Sequence, residues 1–242
     1  MARGAPDDSN VVKQGAVYRL DDMAELAARL GSIYTYHRFG DVFLQEDFEK
    51  GVAKWVITKC GTGSYGSISG DRSLSGNQSF LAHMGAGHNS YVDIMKSLAP
   101  VPLGSVGFCF AFSLGSQFGK MLVCFTVYTG TRTLWGETDY YHDPGKISIW
   151  IDGPTEEDFI LTGPLANTGK MFHILKIGLD TARQKYNYIY LDNQTYTPVD
   201  KSLVSWADST APRIDINIRC FGVDGDTADC YLDDIVLTQN EF

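Results

Sequence analysis

The sequence predicts an all-β protein, a two-sheet antiparallel β-sandwich preceded by an N-terminal arm and one short helix. Three observations carry this. From Val42 onward, apolar residues recur at every second position, the period of a strand, in segment after segment. Turn-forming residues separate these segments, and the chain holds 25 Gly, 13 Tyr and 13 Phe. No helical spacing interrupts them, so about a dozen short strands must bury their apolar sides as two packed sheets, in a sandwich or jelly roll. Residues 1–40 are expected to form a docking arm and residues 41–242 the sandwich.

Residues 1–16 are polar and contain Gly and Pro, which suits an extended arm. Asp22 with Glu25 then makes a capping-box-like helix start; Met23, Leu26, Ala27 and Leu30 follow helical spacing, and Gly31 supplies the stop. That helix, about residues 21–30, has one apolar stripe to pack on the sandwich or on another subunit. Between Ser105 and Leu114, Val106, Phe108, Phe110, Phe112 and Leu114 alternate with small residues, as in a central strand. Met121 to Tyr128 reads as a second buried strand. Ile147, Ile149 and Ile151 alternate with Ser148, Trp150 and Asp152, so this strand has one wetter face. His173–Leu179 and Tyr186–Leu191 flank a hairpin connection, with Tyr186, Tyr188 and Tyr190 expected on one face. Ile214, Ile216, Ile218 and Cys220 alternate again before the closing strand at Cys230 to Leu237.

Composition excludes some functions. A net charge of −9, with Lys and Arg scattered, leaves nothing to neutralise a nucleic-acid backbone. No stretch approaches a membrane span, and the first ten residues lack a signal-peptide core, which predicts synthesis in the cytoplasm. Cys60, Cys109, Cys124, Cys220 and Cys230 show no metal-binding spacing and read as mostly buried thiols. Cys220 and Cys230 could pair, a point spacing leaves open.

Two acidic clusters stand near opposite ends of the β-rich stretch: Glu46-Asp47-Phe48-Glu49 and Asp233-Asp234 within Tyr231–Leu237. Together with the Ser73-Leu74-Ser75-Gly76 turn, they resemble the jelly-roll carbohydrate-binding modules that hold a structural calcium ion. The resemblance spans residues 42–238. It implies Glu49 and one of Asp233 or Asp234 as side-chain ligands, carbonyls near Ser75 completing the shell, and Asp47 as a substitute. Carboxylates and carbonyls are what calcium takes; the alternative is that these acids are solvated turn residues. Met171–Ile177 with Tyr188–Asn193 also looks like the back-sheet hairpin of concanavalin A-like sandwiches.

Sugar binding uses aromatic faces with a few polar groups. The candidates are Trp135, Tyr140 and Tyr141 in a segment read as an acidic-aromatic loop, and Trp150 on its wetter strand face. For each, packing at the sandwich rim is the competing reading. Catalysis on such folds needs two carboxylates roughly 5–10 Å apart. The Glu-x-Asp-x-x-Glu pattern is absent, and Glu137 with Asp139 is the nearest substitute. The histidines are dispersed, and no nucleophile elbow occurs. The expectation is a non-enzymatic structural or display protein on a virion or similar particle, homo-oligomeric or attached to other subunits through residues 1–40. A stand-alone glycan-binding module is the alternative, and a hydrolase or lyase a third reading.

Overall fold

The computed structural model describes residues 40–241 apart from 154, 161–162, 167–170, 193 and 199. The arm and the helix expected near 21–30 lie outside the described residues. What is described is an antiparallel sandwich of two eight-stranded sheets with no α-helix. The first sheet runs β13 (Gln194–Tyr196), β12 (Lys185–Leu191), β11 (His173–Asp180), β6 (Ser105–Leu114), β16 (Ala228–Gln239), β4 (Ser79–Met84) and β3 (Tyr65–Ser69), with β1 (Asp41–Glu46) also on β16. The second runs β10 (Thr155–Ile160), β9 (Lys146–Ile151), β8 (Arg132–Tyr141), β7 (Phe118–Tyr128), β15 (Arg213–Gly222), β5 (Tyr91–Leu98) and β2 (Val56–Cys60), with β14 (Val204–Ala207) on β8.

Alternation fixes which side of each strand meets the core. Val106, Phe108, Phe110, Phe112 and Leu114 of β6 face inward, as do Met121, Val123, Phe125 and Val127 of β7 and Ile214, Ile216 and Ile218 of β15. Phe108 and Phe125 meet between the layers with ring centroids 6.4 Å apart. No helix of the described residues is long and apolar enough to cross a membrane.

The start and finish of the sandwich are stitched together: β1 pairs antiparallel with β16, Glu46 opposite Ile235. One edge of β16 pairs with β4 over Ala228–Leu232 and then with β1 from Ile235 onward. At that switch its register against β6 shifts, and Asp234 takes a left-handed φ of 46°. A short polar residue tolerates this conformation better than a branched one. The Asp-Asp pair therefore marks a bulge.

One hairpin expectation needs correction. Opposite Gly178 and Leu179 stand Tyr188 and Tyr186, so Asn187 is an extra residue in β12. The bulge turns Tyr186 into the core, while Tyr190 packs on the outer face of the sheet. The three tyrosines do not share a face. No disulfide links the cysteines: Cys109, Cys220 and Cys230 are buried, Cys60 is exposed, and the Cys220 and Cys230 thiols touch without a bond.

Candidate functional site

The calcium candidates converge on one turn. Asp233 Oδ2 accepts hydrogen bonds from the Leu74 and Ser75 amides at 2.7 and 3.2 Å. Ser75 Oγ donates to Asp234 Oδ1 at 2.7 Å. Glu49 Oε1 accepts from the Asn77 and Gln78 amides at 2.6 and 2.7 Å. β1 ends at Glu46 and Phe48 has a φ of 57°, so Asp47 and Glu49 lie in the turn that follows; Asp47 Oδ1 takes the Glu49 amide at 3.1 Å. Burial, then the neighbouring Asp234 charge, push the Asp233 pKa up to about 7. Among the described residues no three His, Cys, Asp or Glu side chains gather closely enough to hold a metal ion. Asp233 Oδ2 and Glu49 Oε1, two of the oxygens expected to bind calcium, each accept two of the turn's amides.

The polar and aromatic face lies elsewhere, on the outer side of the second sheet. The segment containing Trp135, Tyr140 and Tyr141 is strand β8, not a loop. Its alternation puts Thr133, Trp135, Glu137, Asp139 and Tyr141 outward and Tyr140 inward. Tyr140 is 1 % exposed and packs against Phe112, so it is a core residue and not a sugar contact. Trp150 stands opposite Glu137 on β9, and Val204 opposite Trp135 on β14. Because β9 and β14 share one edge of β8, Trp150, Trp135 and Trp206 form a row. Ring centroids are 6.2 Å apart for Trp150–Trp135 and 6.5 Å for Trp135–Trp206, and Trp206 is 45 % exposed.

Tyr186 reaches across the core to hold this row. Its one hydroxyl proton is shared between the Trp150 and Glu137 carbonyls, 2.7 and 3.0 Å away, and its oxygen accepts the Glu137 amide at 2.9 Å. On the outer side, Trp135 Nε1 donates to Cys124 Sγ at 3.3 Å, and that thiol donates to Glu137 Oε2 at 2.9 Å. Glu137 is 5 % exposed, and burial raises its pKa to about 7. Asp139 is fully buried and bonded to Lys120 at 2.7 Å; burial still raises its pKa. Tyr141 gives its hydroxyl proton to Glu156 at 2.9 Å and lies beneath Lys120 and Lys146.

Beside the row, a depression of about 260 Å³ is bordered by Trp135, Glu137, Cys124, Tyr128, Asn217 and Arg219, among others. Sequence reasoning found Trp135, Tyr141 and Trp150 but not Trp206, Asn217 or Arg219. A signal existed for the β15 pair: Arg213, Asp215, Asn217 and Arg219 are the polar alternates of the Ile214–Ile218 pattern.

No protein-family model and no curated protein sequence matches the chain. Solved structures do. An endo-β-1,4-glucuronan lyase from Trichoderma reesei superposes with a TM-score of 0.56 at 10% identity, covering 82% of this chain and 96% of its own. A protein with a galectin-like fold from Bacillus subtilis gives 0.53 at 12%, covering 84% and 97%. Lectin II from Ulex europaeus gives 0.50 at 11%, covering 83% and 100%. The chain thus has the two-sheet β-sandwich fold that its strand pattern predicts, a fold shared by this lectin and by at least one enzyme.

Proposed function

We propose that the protein binds a glycan chain on the outer face of the second sheet, along the Trp150–Trp135–Trp206 row. The observation that carries this is the row itself. Three indole rings stand on adjacent strands beside a polar depression, with Trp206 nearly half in water. Aromatic faces stack on the apolar side of sugar rings, and the polar groups beside them meet hydroxyls. That a lectin shares the fold is consistent with the reading, and fold by itself does not decide function. Glycan-array or affinity-gel binding tests it. Trp135→Ala and Trp206→Ala are each expected to weaken binding about tenfold, or ~1.4 kcal/mol. Unchanged binding in both, or no bound glycan, removes the site.

One observation favours cleavage as a second reading: a carboxyl with a pKa near 7 suits a general acid. Its nearest partner on β8 is badly placed for this, since Asp139 is buried beneath Lys120. Binding without cleavage is therefore the preferred reading, and reducing-sugar release from the bound glycan would overturn it.

Two further proposals come from the sequence. Calcium at the 74–78 turn is supported by the resemblance alone; a melting temperature lowered by chelator and restored by calcium would establish it. Display on a virion or similar particle rests on residues 1–40, and unchanged oligomeric state and particle attachment after their removal would refute it.

A further inference from the structure

Lys120, Arg213 and Arg219 on the outer face of the second sheet are each held against a resident carboxylate, and we infer that the glycan taken there is an uncharged one. This rests on the glycan-binding reading and narrows its ligand class. Among the described residues, Lys120, Arg219, Arg213 and Lys146 stand on the face. Lys120 Nζ lies 2.7 Å from Asp139 and 3.2 Å from the Tyr141 hydroxyl. An Arg219 terminal nitrogen donates to Asp93 Oδ2 at 2.9 Å, and Asn217 Nδ2 donates to Asp93 Oδ1 at 2.5 Å. Arg213 Nε meets both Asp215 oxygens at 3.1 and 3.0 Å. Lys146 lies 4.6 Å above the Tyr141 ring, which it shares with Lys120.

A uronate or sulfate arriving here must displace a resident carboxylate to reach Lys120 or Arg219. Asp139 is fully buried and Asp93 is 5 % exposed, so either would be left as an uncompensated buried charge. That penalty works against the wrong ligand and is absent for the right one. Glu137, in the wall of the depression, has no cation at ion-pair distance among the described residues, and when ionised it repels an anion further. The chain's net charge of −9 adds long-range repulsion to any polyanion. Hydroxyls need no counter-charge. They both donate and accept, and can join paired carboxylates and guanidinium groups without breaking the pairs. The indole row offers stacking that is indifferent to charge.

Affinity electrophoresis of the full chain through gels containing galactomannan, xylan or mixed-linkage β-glucan, against polygalacturonate and alginate, tests this. Retardation by at least one neutral polymer and by neither polyuronate is expected. Retardation by a polyuronate as strong as by the neutral polymers, or stronger, overturns the inference while leaving glycan binding intact. No retardation in any gel overturns the glycan-binding reading itself, and the inference with it. Asp139→Asn unpairs Lys120, and Asp93→Asn unpairs Arg219. Each is expected to gain about tenfold in polygalacturonate binding, reversed by salt. Asp226→Asn, exposed and off this face, makes the same charge change and should gain nothing. Two separate pairs keep the test open if one variant fails to fold; no gain in a folded variant overturns the role given to the pairs.

Discussion

Glu137 is held between a thiol and the edge of an indole row, where water reaches little of it, and its proton is the side chain's cheapest answer to burial. The carboxyl rises from an ordinary 4.5 to about 7, chiefly through desolvation, with the Asp139 charge adding to it. In that window the folded protein keeps a proton that the unfolded chain has released. Stability therefore falls as pH climbs from about 4.5 to 7, and the loss is complete above 7. Asp233, raised from 3.8 to about 7, slopes the same way. Thermal melting across pH 4–8 should show this decline. Glu137→Gln is expected to flatten part of it and to gain about 2 kcal/mol at pH 8, the full shift being discounted for partial solvation. A variant with the parent's whole slope would show that Glu137 titrates as an ordinary glutamate.

The Ser73–Gln78 turn and the β16 bulge form one element built from residues far apart in sequence. Amides at 74, 75, 77 and 78 point at Asp233 and Glu49, so four backbone donors are satisfied by two carboxylates. Gly76, at a φ of 61°, is required here: a Cβ would lie 2.4 Å from Glu49 Oε1. Glu49→Ala strips two charge-assisted bonds from a partly wet site, at an expected cost of about 1–2 kcal/mol. Asp233→Ala strips a buried acceptor and should cost more, about 3 kcal/mol. Urea unfolding measures both; equal costs would contradict the burial difference. The acids were visible in the sequence as clusters, and their nearness was implied only by the resemblance to carbohydrate-binding modules. Their occupation by amides was not visible, because it depends on where β16 changes partner.

Across the whole molecule, the two layers share one core, and Phe112 sits in it without exposure, against Phe110, Tyr140 and His173. Phe112→Ala should cost about 3–5 kcal/mol, read as a lowered midpoint of chemical unfolding. A loss under 1 kcal/mol would mean that the layers do not depend on this contact. The central strands were legible because period-two alternation is local: Val106–Leu114 names its own inward face whatever lies beside it. The same rule places Trp150 outward. It also shows why Tyr140 failed as a candidate, since a segment taken for a loop assigns no faces, whereas strand β8 turns adjacent tyrosines to opposite sides. Trp206 joins Trp135 only because β14, some seventy residues later, lies along the edge of β8 that β9 leaves uncovered. By itself, then, the sequence determined the strands and their buried sides, since both follow from where apolar side chains fall along a pleated chain. Only the tertiary structure decided the indole row and the paired charges, because both arise from strand order and register, which bring together residues that carry no local mark of one another.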